Sequence, residues 1–322
     1  MAERPIRIVF LDAATLRPDT ALAPFSFPHV LTRHDRTAPQ ETAARLAEAD
    51  VALVNKVRIG AAEMDAAPHL GLIALAATGT DNVDLEAAKA RGIVVANVRD
   101  YARATVPEHT FALILALRRS LLPYRASVLA GRWQAAAQFS YHDFPIADLA
   151  GATLGVVGSG SLGSRVAEIG RAFGMTPIFA ARRSGSGGRP DAVPFPEFLA
   201  RADVVSLHCP LTPETAGLFG AAEFAAMKPT ALLINTARAG LVDVEALAEA
   251  LERGEIAGAG LDVAAPEPPP AESPIMRLAT RPNVILTPHV GWASREAVQG
   301  LADRLVANVE AWAAGTPTNR VA

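Results

Sequence analysis

Ala150-Gly-Ala-Thr-Leu-Gly-Val-Val-Gly158-Ser-Gly160-Ser-Leu-Gly163-Ser-Arg-Val-Ala-Glu-Ile-Gly170 is the most informative segment of the chain. Its apolar run Thr153 to Val157 predicts a buried parallel strand. Gly158, Gly160 and Gly163 follow as G-x-G-x-x-G, and Val166 and Ile169 continue at the spacing of one helix face. Strand, tight turn and helix in that order open a dinucleotide-binding unit. The three glycines differ in their steric roles. Gly158 lets the chain turn, Gly160 admits a pyrophosphate close to the backbone, and Gly163 lets the helix pack on the strand. The free N–H groups and positive dipole end of the helix then meet the diphosphate.

The strand after this helix, Thr176 to Ala181, ends where such a unit usually carries an Asp or Glu for the ribose hydroxyls. Here Ala181 is followed by Arg182 and Arg183. Two guanidinium groups in place of a carboxylate suit a 2′-phosphate, which is anionic and accepts forked hydrogen bonds, so NADP is expected in preference to NAD. The run Ser184-Gly-Ser-Gly-Gly188 has the composition of a flexible loop.

Outward from this unit, 322 residues, half of them apolar, are enough for two domains with separate cores. A net charge of −3 and a pI near 6.2 leave no basic surface for nucleic acid, so small molecules are the expected ligands. One cysteine, Cys209, can form neither an intrachain disulfide nor a multi-cysteine metal site, and no metal is expected. The start, with Glu3, Arg4, Arg7 and an apolar run that stops at Asp12, does not have the pattern of a signal peptide. The run Phe111 to Leu117 is far too short to span a bilayer, so a cytoplasmic protein without membrane partners is expected.

Ile6–Leu11, Val51–Val54, Leu72–Ala76 and Ile93–Ala96 read as strands, with helices over Glu41–Ala49 and Leu85–Arg91, the second closed by Gly92. The alternation predicts a parallel sheet. Thr105-Val-Pro-Glu108 has the form of a capping box that starts one long helix running to about Leu129, where Gly131 ends it. The loop Trp133 to Pro145 is aromatic-rich and expected to pack at a domain or subunit contact. Downstream, strands lead to His208-Cys-Pro-Leu-Thr212, Asn235-Thr-Ala-Arg238, Asp262 and His289, which places polar residues at carboxyl strand ends, where open α/β sheets bind ligands. Pro266-Glu-Pro-Pro-Pro270 must be a rigid loop, and a helix follows over Arg295–Ala314.

Gly158-Ser-Gly-Ser-Leu-Gly163, His208-Cys-Pro-Leu-Thr212, Asn235-Thr-Ala-Arg-Ala-Gly-Leu-Val-Asp243, Gly260-Leu-Asp-Val263 with Pro266-Glu-Pro268, and Thr287-Pro-His-Val-Gly291 resemble, in order, the signatures of the D-2-hydroxyacid dehydrogenases. Ala77 to Leu85, Tyr141 to Pro145 and Gly291 to Glu296 further resemble the glycerate dehydrogenase and hydroxypyruvate/glyoxylate reductase branch. The resemblance implies two doubly wound parallel-sheet domains with a cleft between them. A flavodoxin-like substrate domain would comprise residues 1–98 and 291–322, and a Rossmann dinucleotide-binding domain residues 99–290. It also implies a homodimer through the helix after Thr105 and the aromatic loop.

In chemical terms the resemblance implies reduction of a small 2-keto acid, hydroxypyruvate or glyoxylate, to the D-2-hydroxy acid. Arg238 would bind the carboxylate and the C2 oxygen, His289 would give that oxygen its proton, and Glu267 would hydrogen-bond the imidazole and fix its tautomer. Val57, Thr78, Gly79 and Trp292 would complete the substrate site. The cofactor would lie along Gly158, Gly160, Ser161, Leu162 and Gly163, then Arg182, Arg183 and Ser184, then His208, Cys209, Pro210 and Thr215, and finally Thr236, Ala237, Arg238, Asp262, His289 and Gly291. Two positions depart from the pattern. Ala239 stands where the family usually has Gly, which restricts the backbone if positive φ is needed there, and Ser161 replaces a frequent basic residue. The alternative function is a nucleotide-sensing interaction scaffold resembling the C-terminal binding protein corepressors, which share these motifs.

Overall fold

Runs of four apolar residues buried on both faces, Val51–Val54 and Leu72–Leu75, make two of the interior strands in a computed structural model of the protein, which describes residues 4–183 and 189–322. The chain forms two compact units, Met1–Ala102 with Ala293–Ala322, and Arg103–Trp292. Each is an α/β unit on one wholly parallel sheet.

In the first unit β1 (Ile6–Phe10), β2 (His29–Arg33), β3 (Val51–Val54), β4 (Leu72–Leu75) and β5 (Val94–Ala96) lie in the order β2-β1-β3-β4-β5, the doubly wound order of flavodoxin. Helices α1 (Thr42–Leu46), α2 (Ala61–Asp65) and α3 (Leu85–Ala90) connect them. Val9, Leu11, Leu46, Val54, Ile73 and Leu75 are central to the core. The C-terminal helix Arg295–Ala313 belongs to this unit. Its Asn308, 1 % exposed, donates Nδ2 to the carbonyl of Asn97 at 2.9 Å. The helix expected over Glu41–Ala49 is shorter, a 3-10 turn at Pro39–Glu41 leading into α1.

The second unit contains α4 (Thr105–Arg118), α5 (Leu121–Leu129), β6 (Thr153–Val157), α6 (Ser161–Ala172), β7 (Thr176–Phe179), α7 (Phe195–Arg201) and β8 (Val204–Leu207). It continues with α8 (Ala221–Ala226), β9 (Leu232–Asn235), α9 (Val244–Arg253), β10 (Gly258–Leu261), α10 (Pro274–Leu278) and β11 (Val284–Leu286). The strand order β11-β10-β9-β8-β6-β7 reverses direction between β6 and β8, so the switch point lies at the carboxyl end of β6. Among the described residues no helix is long and apolar enough to cross a membrane.

Two expectations for the segment after Thr105 are corrected. The single long helix is two, because Ser120 takes φ +48 and its hydroxyl donates to the carbonyl of Pro145 at 2.6 Å. Thr105 is not the cap. Ala104 is, and the Thr105 hydroxyl donates instead to the carbonyl of Gly291 at 3.1 Å.

Candidate active site

β6 delivers the glycine turn to the switch point. Gly158 has φ +99, and a Cβ there would come within 2.7 Å of the Cys209 amide nitrogen and of His208 backbone. A Cβ on Gly163 would lie 2.0 Å from the carbonyl oxygen of Gly158. Both positions are closed by the protein itself. Gly160, the residue before α6, is different: a Cβ there meets nothing within 4 Å. Open space in front of the amino end of a twelve-residue helix fits a diphosphate, and Ser161 and Leu162 form the first turn of that helix.

The neighbouring strand β8 brings His208, Cys209 and Pro210 against this turn, with the His208 amide donating to the carbonyl of Val157 at 2.7 Å. Thr215 ties the loop down, donating its hydroxyl to the Pro210 carbonyl at 2.7 Å. The imidazole Nε2 of His208 shares a 2.8 Å hydrogen bond with the fully buried Ser206 hydroxyl, and burial pushes the His208 pKa down to about 4. Burial pushes the Cys209 thiol up to about 11, which keeps it protonated and poorly nucleophilic at neutral pH. After β7, Arg182 is exposed, whereas Arg183 pairs with Glu223 and places its guanidinium 5.2 Å from the Phe195 ring centroid. Ser184 lies outside the described residues.

β9, β10 and β11 are adjacent and parallel, so the segments that follow them emerge at one edge of the sheet. Arg238 follows β9, Glu267 follows β10 and His289 follows β11. Asn235 organises the first of these segments: its Oδ1 accepts from the Ala237 amide at 3.0 Å and its Nδ2 donates to the Arg238 carbonyl at 2.9 Å. Thr236 is held from α4 by a 3.2 Å hydroxyl–hydroxyl contact with the buried Thr110. Ala239 opens a 3-10 turn, Ala239–Leu241, outside the positive-φ region, so the methyl that replaces the family glycine imposes no backbone strain. Glu267 and His289 meet directly: Nδ1 of the imidazole lies 2.7 Å from Oε2 of the carboxylate, whose Oε1 accepts from the Ala264 amide at 3.0 Å.

His289 itself has φ +55, a left-handed conformation that costs a non-glycine residue free energy and persists only when its surroundings fix it. Asp262, 2 % exposed, does so. Its carboxylate accepts from the amides of Val290 at 3.0 Å and Gly291 at 2.8 Å, and from the Thr287 hydroxyl at 2.5 Å. Nε2 of His109 on α4 lies 3.0 Å from the Thr287 hydroxyl and 3.4 Å from Asp262. Trp292 closes the turn by donating Nε1 to the His289 carbonyl at 2.9 Å. Burial raises the Asp262 pKa, but the hydrogen bonds from His109, Thr287, Gly291 and Val290 outweigh it and hold the group below the usual carboxylate value.

In the first unit Val57 follows β3, while Thr78 and Gly79 follow the adjacent β4. Asp12, 4 % exposed at the end of β1, accepts from the amides of Asn55 at 2.9 Å, Lys56 at 2.6 Å and Val57 at 3.1 Å, which fixes the first of these loops. The Thr78 hydroxyl donates to the Val98 carbonyl at 2.6 Å.

Residues 111–291 match the family model described as "D-isomer specific 2-hydroxyacid dehydrogenase, NAD binding domain". Glycerate dehydrogenase of Methylorubrum extorquens is 48% identical over 316 residues, 98% of each chain. The chain belongs to the D-isomer-specific 2-hydroxyacid dehydrogenase family. Hydroxypyruvate reductase of Blautia hydrogenotrophica is 31% identical to this chain, over 98% of it and 99% of the relative. A crystal structure of NADPH-dependent glyoxylate/hydroxypyruvate reductase from Sinorhizobium meliloti superposes with a TM-score of 0.82 at 30% identity, covering 99% of this chain and 98% of that one.

The sequence alone does not mark Asp12, His109 or Thr287 as site residues, and its motifs give Asp262 to the cofactor alone. Asp12 ends an apolar strand run, as a solvated loop residue also would. His109 lies in the first turns of an apolar helix pattern, next to residues that read only as a helix start. Only the fold brings these groups to the loops they hold.

Proposed function

We propose that the protein reduces a small 2-keto acid, with hydroxypyruvate and glyoxylate favoured, to the D-2-hydroxy acid, and prefers NADPH. The observation that carries the reading is the Glu267–His289 hydrogen bond at the edge of three adjacent strands, the first of which delivers Arg238. With Nδ1 held by the carboxylate, Nε2 is the nitrogen that exchanges a proton with the substrate C2 oxygen. Arg238 forks to the substrate carboxylate and that oxygen, drawing charge away from C2. A bound reduced nicotinamide supplies the hydride. The unit Arg103–Trp292 binds the dinucleotide, and the unit holding Val57, Thr78 and Gly79 contributes to holding the substrate carboxylate. The names of the relatives support glycerate, hydroxypyruvate and glyoxylate as the substrate class.

Two arginines after β7, with no acidic residue in the chain at that strand end, support NADPH. The test is a panel of 2-keto acids assayed with NADPH and with NADH. Turnover of hydroxypyruvate and glyoxylate, faster with NADPH, is expected. No turnover together with tight cofactor binding would support the scaffold alternative instead. We further propose a homodimer. In the second unit Leu129, Trp133 and Phe139 are 70 %, 54 % and 88 % exposed within one short stretch, an apolar patch that a second copy of the chain covers.

A further inference from the structure

We propose that Glu223 sets cofactor preference, acting as a built-in competitor of the 2′-phosphate for Arg183. This rests on the reading that the arginines after β7 face that phosphate. Arg183 donates Nη2 to Oε1 of Glu223 while its guanidinium lies over Phe195, so both its charge and its plane are committed. The carboxylate cannot easily swing aside, because its Oε2 accepts from the Gly220 amide at 3.0 Å as part of the α8 cap. Glu223 is also the more sheltered partner, its side chain 16% exposed against 46% for Arg183. A phosphate that recruits Arg183 must displace a carboxylate already on the fork, or settle beside it at the cost of like-charge repulsion. A ligand with a bare 2′-hydroxyl meets neither penalty. A fixed charge of this kind discriminates by repulsion, and it moderates the preference that two arginines would otherwise give. Arg182, exposed next to it, is then the principal reader of the phosphate.

Glutamine is the informative replacement, since its amide oxygen can still accept from the Gly220 amide while the charge is removed. Affinities of the full chain for NADP⁺ and NAD⁺ are to be measured by titration calorimetry, without turnover, alongside melting temperature. Glu223→Gln is expected to tighten NADP⁺ by about tenfold, roughly 1.4 kcal/mol, with NAD⁺ within about twofold of the parent. The gain should shrink when Arg183→Ala is added, because the part that comes from freeing Arg183 is then lost and only the direct repulsion between carboxylate and phosphate remains. In the parent background, Arg183→Ala should cost less NADP⁺ affinity than Arg182→Ala, a comparison that does not depend on the glutamine variant folding. Unchanged or weaker NADP⁺ binding in Glu223→Gln, or equal gains for both cofactors, would overturn the role of Glu223. If neither arginine variant alters the NADP⁺ to NAD⁺ ratio, the arginine reading itself fails.

Discussion

A carboxylate with 2 % of its surface exposed is expensive to keep ionised, and Asp262 stays ionised because donors from α4 and from the 287–291 loop surround it. Replacing it with Asn puts an amide nitrogen where a backbone N–H now donates, that of Val290 at Oδ1 or that of Gly291 at Oδ2. Asp262→Asn is expected to cost about 2 kcal/mol or more in denaturant unfolding; a loss below roughly 0.5 kcal/mol would remove it as the clamp. Its folded pKa is lowered, so its contribution is present above the usual carboxylate pKa and fades as pH falls through the lower folded value. His208 acts in a higher window. The folded protein disfavours its imidazolium, with a pKa of about 4 against an ordinary 6.5, so the unfolded chain takes up the proton first as pH falls. Stability from this group is full above pH 6.5 and is lost between there and about 4. Melting curves at pH 7.5 and pH 5 should therefore drop less for His208→Gln than for the parent, and parallel losses would contradict this.

Among elements, the β6–turn–α6 unit separates what glycine does for the fold from what it does for a ligand. Gly163→Ala drives a methyl into the Gly158 carbonyl and should lower the melting temperature without any cofactor present. Gly160→Ala adds a methyl into open space, so the melting temperature should hold while NADP⁺ affinity falls about tenfold or more. Equal melting losses in both would refute the distinction. The interior strands could be read from the sequence because burial on both faces leaves continuous apolar runs such as Leu72–Leu75. β2 could not: His29–Arg33 is an edge strand, largely solvent-facing, with neither an apolar run nor a clean alternation. The break at Ser120 was hidden for another reason, since only a tertiary partner, the Pro145 carbonyl, rewards a left-handed serine inside a helical pattern.

For the molecule as a whole, the exposed apolar stretch Leu121–Ile146 predicts that light scattering on the eluted protein gives twice the 33.7 kDa chain mass. A monomer at micromolar concentration would contradict the dimer. Arg238 and His289, proposed to touch substrate, and Glu267, proposed to hold the imidazole, each follow a strand, but it is the family resemblance of their motifs, not their spacing, that marks them in the sequence. The groups that fix the His289 turn, Asp262 with its partners His109 and Thr287, come into range only through strand order and loop closure, as does Asp12 with the loop of Val57 in the other unit. That division makes one variant decisive. With hydroxypyruvate and NADPH, His289→Ala should lower kcat by about a hundredfold or more while cofactor affinity stays within about twofold of the parent. A kcat close to that of the parent would contradict the assignment of proton transfer to His289, and with it the chemistry proposed for the Glu267–His289 pair.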